Sequence, residues 1–161
     1  MHTLQRTGKE ITEVYDRHVD TVYRICFSFM KNTADTEDMV QETFLRLLSA
    51  GKKFQSVEHE KAWLIVTASN LCKDALKKWW RMNESIEDYA GELQAPPFRI
   101  DSTLDAILEL PEDQKTVVYM YYYEGYSTKE IASAMRCPPA TVRSRLSRAR
   151  QQLKSKLGGD F

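Results

Sequence analysis

At 161 residues and 42% hydrophobic content, the chain has apolar mass for one domain or two small ones, and few Gly or Pro to interrupt regular structure. No run approaches the roughly 20 apolar residues that span a bilayer, and the N-terminal MHTLQRTGKE lacks the apolar segment of a signal peptide. A soluble cytoplasmic protein without direct membrane insertion is therefore expected. The 23 basic and 23 acidic residues cancel, but they are segregated along the chain, which points to more than one charged partner surface. Alternation of β-branched residues is scarce, so the expected fold class is all-α.

The first helix is predicted from about Glu10 to Lys31, with Ile11, Val14, His18, Val22, Ile25 and Phe29 on one face and Tyr15, Val19 and Cys26 widening it. His18 within that stripe reads as a packed histidine rather than a ligand. Residues 32–36 are expected to break the helix, with Asp35 or Thr36 capping the next one. That second helix has an expected apolar face of Val40, Phe44, Leu47 and Leu48. Acids in a first turn stabilise a helix through its dipole, which explains part of the cluster Asp35, Glu37, Asp38, Glu42. Gln41 and Glu42 lie beyond that turn and are free to bind something basic.

Gly51 ends the second helix, and a polar loop holding Phe54 runs on to Glu60. The third helix is predicted from about Lys61 to Arg81, buried along Leu64, Ala68, Leu71, Ala75 and Trp79. Another of its faces carries Trp63, Asn70, Lys73, Lys77 and Arg81. An aromatic ring, an amide and cations in one line can stack on a base, hydrogen-bond its edge and follow a phosphate backbone. An exposed basic face with a Trp filling a gap in the core accounts for the same spacing.

Residues 83–102 change character, with five acids, Gly91 and the Pro96–Pro97 pair, and read as an acidic linker. A short helix from about Ser102 to Glu109 follows. Pro111 at a first helical position then opens a helix to Tyr123, with Gly125 just past its end. The four tyrosines between 119 and 123 read as core and shoulder of a small helical domain.

From Tyr126 onward the sequence looks like two helices joined by a tight turn. Ser127 and Glu130 fit a capping box for a helix over residues 128–135. Pro138 and Pro139 cannot continue it but suit the first turn of the next. From Pro139, residues Val142, Leu146, Ala149, Leu153 and Leu157 recur as one apolar stripe, with Arg143, Arg145, Arg148, Arg150, Lys154 and Lys156 on the other faces. A helix held by one stripe and cationic elsewhere suits the DNA major groove. Arg136 occupies a turn position that calls for φ > 0 and usually holds Gly, at a cost on the order of 1 kcal/mol, so a distorted turn is expected.

Cys26, Cys72 and Cys137 and the three histidines are scattered without metal-ligand spacing, so no metal and no cofactor is expected. Neither a nucleophile–base pair nor a phosphate-cradling Gly loop is visible, so an enzyme with a small-molecule substrate is not expected. On the residues alone, a helix-turn-helix regulator acting on duplex DNA without polymerase and a helical scaffold both stand as alternatives.

Three stretches together, TEDMVQETFLRL (36–47), KAWLIVTASNLCKDALKK (61–78) and the segment from Leu110 to Leu153, resemble the extracytoplasmic-function group of the bacterial sigma-70 family, in the family's order and spacing. The resemblance implies two helical domains, residues 8–83 (sigma region 2) and 102–157 (sigma region 4), joined by the linker 84–101. It also implies a subunit that binds core RNA polymerase and directs it to promoters. Asp38, Gln41 and Glu42 would dock on the clamp helices of the largest subunit, and the second domain on the flap of the second-largest. Trp63, Asn70, Lys73 and Lys77, with the loop from Phe54 to Glu60, would capture the opened −10 strand. Thr141, Arg143, Ser144, Arg145 and Arg148 would read the −35 element as duplex. An anti-sigma factor is a further partner the resemblance implies. Leu64 stands where primary sigma factors carry a second tryptophan, which implies weaker melting and dependence on a good promoter.

Overall fold

The computed structural model describes residues 8–82 and 101–157. They form seven α-helices, α1 (Gly8–Met30), α2 (Thr33–Ala50), α3 (Val57–Met82), α4 (Ser102–Leu108), α5 (Glu112–Val118), α6 (Thr128–Met135) and α7 (Pro139–Leu157), plus a π-helical turn, Tyr119–Tyr123; there is no strand among the described residues. The fold is all-α, and the chain divides into two compact units, Met1–Ala95 and Pro96–Phe161. Apart from Asp101, the predicted linker lies outside the described residues.

In the first unit α1, α2 and α3 each pack against the other two. Val14, His18, Val22, Ile25 and Phe29 form the buried stripe of α1, as their spacing predicts. With Leu64, Ile65, Ala68 and Cys72 of α3 they build a core in which each large aliphatic contributes roughly 1.5–3 kcal/mol by leaving water. Tyr15, expected to widen the stripe, is 44% exposed and packs at its edge on Phe44 of α2, ring centroids 5.0 Å apart.

The break between α1 and α2 is shorter than expected. Lys31 takes φ 64° and turns the chain. Asn32, rather than Asp35 or Thr36, caps α2, its side chain accepting from the Asp35 N–H at 2.8 Å. Starting at Thr33, α2 leaves Asp38 past the first turn, so the helix dipole no longer accounts for that acid either. Its buried face is Thr36, Val40, Thr43 and Leu47. The two threonine hydroxyls donate to the Asn32 and Met39 carbonyls at 2.6 and 2.7 Å, so they enter the core satisfied. Leu48, expected inside, is 40% exposed, and Phe44 is half-buried.

α3 starts a turn before Lys61. Ser56 Oγ accepts from the His59 N–H at 3.0 Å, so residues 57–60 are helical and only 51–56 remain loop. Glu60, expected in a loop open to DNA, is instead buried against α1. Leu71, Ala75 and Trp79 of the predicted stripe are only half-buried, because the face turned to α1 and α2 is centred on Ile65, Ala68 and Cys72.

In the second unit Asp101 caps α4, its Oδ1 accepting from the Leu104 N–H at 2.8 Å. Pro111 is the N-cap of α5 rather than its first helical residue, so the helix starts one residue later than expected. Beyond Val118 the helix widens instead of continuing as α to Tyr123, and the Glu124 N–H reaches the Tyr119 carbonyl at 3.1 Å. In this turn Tyr119 stacks on Tyr123 (5.0 Å, 15°), and its hydroxyl donates to Glu124 at 2.7 Å. Gly125, at φ 82°, leads the chain on toward α6.

α6 has the predicted bounds and a complete capping box: the Glu130 N–H donates to Ser127 Oγ (3.1 Å) and the Ser127 N–H to Glu130 Oε1 (2.9 Å). The turn to α7 is not distorted. Arg136 adopts the left-handed conformation (φ 55°, ψ 48°) that a glycine would take there, and the Cys137 N–H closes the turn on the Ala132 carbonyl at 3.0 Å. Arg136→Gly is therefore expected to stabilise the second unit by roughly 1 kcal/mol, read as a higher denaturation midpoint at unchanged slope.

Candidate nucleic-acid interface

Packing of α3 on one side leaves another face open. Asn70, Lys77 and Arg81 are exposed, and Trp63 and Lys73 are half-buried. Trp63, Asn70 and Lys77 follow each other at steps of seven, which keeps them in one line about 21 Å long on a helix rising 1.5 Å per residue, with Lys73 on its flank. Between Lys61 and Met82 the only acid is Asp74. Trp63 does not fill the core: its ring meets Phe54 of the loop at 5.7 Å, and Phe54 meets the edge of exposed His59 at 5.4 Å. The structure thus gathers Phe54, His59 and Trp63 into an aromatic cluster at the upper end of the line. His59 was missed as an aromatic partner because the helix was started after it.

On α2, Asp38, Gln41 and Glu42 are all exposed, opposite the buried face. Leu45, 57% exposed, continues the same face, with exposed Leu48 to its side. Leu48 was expected in the apolar face, whereas Leu45 was expected to its side with Asp38, Gln41 and Glu42. The signal was present: once Thr36 and Thr43 are counted as core, the stripe at steps of four, three and four has no place for either leucine.

Val142, Leu146, Ala149 and Leu153 of α7 are buried as predicted, whereas the side chain of Leu157 lies outside the described residues. Arg143, Ser144 and Arg148 are exposed, while Thr141 and Arg145 are half-buried. Ser147 and Gln151 are also exposed and share the outward side of α7 with Ser144 and Arg148, at steps of three, one and three. Sequence reasoning passed over both because it followed charge alone. Arg150 belongs elsewhere: its Nε donates to the Tyr122 hydroxyl at 2.6 Å, and its guanidinium lies 5.9 Å from the Tyr121 and Tyr122 ring centres. The three cysteines are thiols outside any disulfide, with Cys26 and Cys72 buried and Cys137 half-buried.

Two family models match, Sigma-70 region 2 over residues 14–82 and Sigma-70, region 4 over residues 100–153. The ECF RNA polymerase sigma factor SigM of Bacillus subtilis is 31% identical over 155 residues, 90% of this chain and 93% of that protein. SigE of Mycolicibacterium smegmatis, also named an ECF RNA polymerase sigma factor, is 33% identical over 156 residues, and the match spans 90% of this chain and 60% of that one. Among solved structures, the Bartonella quintana sigma factor RpoE, crystallised with the anti-sigma factor NepR, shares the fold at TM-score 0.68 and 23% identity, covering 95% of this chain and 97% of that one. CnrH, in complex with the cytosolic domain of CnrY, does so at TM-score 0.65 and 20% identity, covering 99% and 94%. The chain belongs to the extracytoplasmic-function group of the sigma-70 family of RNA polymerase sigma factors.

Proposed function

We propose that this sigma factor binds core RNA polymerase and directs it to promoters by reading the −35 element as duplex and the −10 element as an opened strand. Residues 8–83 carry the first task and the strand capture, residues 102–157 the duplex reading, and 84–101 the tether. The observation that carries the reading is the open α3 face, where an aromatic cluster, the Asn70 amide and Lys77 stand in one line on a side that the three-helix core does not use. Phe54, His59 and Trp63 stack on an unpaired base, Asn70 hydrogen-bonds its edge, and Lys73 and Lys77 follow the phosphates. Asp38, Gln41 and Glu42, with Leu45 beside them, meet a basic helical surface of the polymerase, and the second unit meets the flap of the second-largest subunit. Exposed Arg143, Ser144 and Arg148 enter the major groove, with Thr141 and Arg145 beside the backbone. An anti-sigma factor is a further partner, and the cytoplasm the site of action. A regulator working on duplex DNA alone gives no account of the region 2 match over residues 14–82.

Run-off transcription with purified core and genomic fragments tests this. Discrete start sites are expected only when the chain is added, and transcripts no different from those of core alone would refute the proposal. On the promoter so found, Arg143→Ala is expected to cost roughly 1–3 kcal/mol and to relax selectivity at one −35 position; equal weakening on every sequence would make Arg143 a phosphate contact.

A further inference from the structure

Glu60 sits where a three-helix core would more simply hold an aliphatic residue. Its Oε1 receives two donors from α1, Arg17 Nη1 at 2.9 Å and His18 Nε2 at 2.8 Å. Glu60 is 7% and His18 1% exposed. Replacing such buried ionic sets by packed aliphatics is often neutral or stabilising, so stability alone gives little reason for this one. Its position supplies a reason. Glu60 lies one turn before Trp63 and next to His59, and both of those rings meet Phe54. Whatever fixes the rotation of the first turn of α3 against α1 also fixes the aromatic cluster.

The geometry points to Arg17, His18 and Glu60 as positioning residues, a latch across α1 and α3 that holds the Phe54–His59–Trp63 cluster in place for an unpaired base. The inference rests on the strand-capture reading above. The hydrogen bonds also specify when the latch closes. His18 Nδ1 is buried with no partner, tolerable for a bare acceptor but costly for an N–H. The imidazole is therefore held neutral, with its proton on Nε2 and donated to Glu60. Burial lowers the His18 pKa below the ordinary histidine value and outweighs the pull of Glu60, while the cations Arg17 on α1 and Lys61 on α3 act in the same direction as burial. The unfolded or unlatched state then takes up the proton first. The latch is intact above the ordinary histidine pKa of about 6.5 and weakens as pH falls through and below it.

The test uses the full chain on core polymerase, with a single-stranded −10 oligonucleotide and a −35 duplex from the promoter found by run-off, at pH 7.5 and pH 6.0. Amide hydrogen exchange on the free chain accompanies it. Wild-type affinity for the oligonucleotide is expected to fall between the two pH values, by no more than about threefold. Glu60→Ala is expected to lower it about tenfold at both, the loss of roughly one stacked base. His18→Gln, whose amide still donates to Glu60 but does not titrate, keeps the wild-type affinity at pH 7.5 and loses the pH dependence. Core binding and −35 duplex affinity stay unchanged, and in Glu60→Ala exchange quickens over residues 51–63 but not in α2. The inference is overturned if Glu60→Ala leaves exchange over 51–63 as it was, if it weakens core binding as much as strand binding, or if His18→Gln keeps the wild-type pH dependence. Quickened exchange in Glu60→Ala, together with a wild-type chain that shows no preference for the −10 strand, would leave the latch standing and remove the strand-capture reading.

Discussion

Gln41→Ala combined with Glu42→Lys is expected to release the chain from core polymerase while leaving it folded. Both side chains are exposed on α2, opposite the buried Thr36, Val40, Thr43 and Leu47, so neither substitution enters the core. Surface changes of this kind ordinarily move stability by no more than about 0.5 kcal/mol. Binding responds differently. Glu42→Lys reverses a charge against a basic partner and Gln41→Ala removes a hydrogen-bonding group beside it, together about 2–5 kcal/mol, or roughly thirty- to several-thousand-fold in affinity. Gel filtration with core, alongside a thermal melt, measures both quantities. A variant that melts like wild type and still elutes with core would assign polymerase binding to another face.

Asn70→Asp with Trp63→Ala carries the second large effect, on the DNA side. Asn70 is exposed, so the change to Asp keeps its shape, removes the amide donor and sets a negative charge against the phosphates. Trp63→Ala removes a stacking surface worth about 1–3 kcal/mol per base. Together they are expected to weaken holoenzyme binding to the opened −10 strand by about 2–4 kcal/mol, roughly thirty- to a thousand-fold, with core affinity intact. Because Trp63 also rests on Phe54, Trp63→Phe serves as the control that keeps a ring in the cluster, and it is expected to restore most of the loss due to Trp63→Ala. Binding of both variants at wild-type strength would leave the α3 face without its assigned role.

The second half of the chain was the more legible. The bounds of α6 and the start of α7 follow from local chemistry that acts within a few residues: the Ser127–Glu130 box, and two prolines that stop one helix and open the next. The buried stripe of α7 needed only spacing. The errors in the first half share a cause. Read as polar, threonine shifts the apparent α2 face onto Leu48 and away from Thr43, although a threonine hydroxyl bonded to its own helix packs much as valine does. Glu60 reads as loop by its charge, yet it extends the line of Leu64 and Ala68 backward by one turn, and its partner His18 lies in the predicted core stripe of α1. A buried acid becomes legible only when both of its donors are assigned to the same place, which spacing within one helix cannot do. The π turn at 119–123 has no residue type that marks it in the sequence; the Tyr119–Tyr123 stack and the Tyr119–Glu124 bond accompany it. Of the site residues, Asp38, Gln41, Glu42, Asn70, Lys77, Arg143, Ser144 and Arg148 stand exposed on the faces that spacing gave them. Phe54 and His59 joined Trp63 only through the loop's three-dimensional path.

The most direct measurement of the whole account is holoenzyme affinity for one promoter prepared in three forms: fully paired, mismatched only across the −10 element, and mismatched only across the −35 element. One unit that takes an unpaired strand and another that takes intact duplex predict tighter binding than the paired promoter when the −10 element is opened in advance, and weaker binding when the −35 element is. Equal affinity for all three, or tighter binding when the −35 element is opened, would contradict the assignment of α3 to unpaired strand and α7 to duplex.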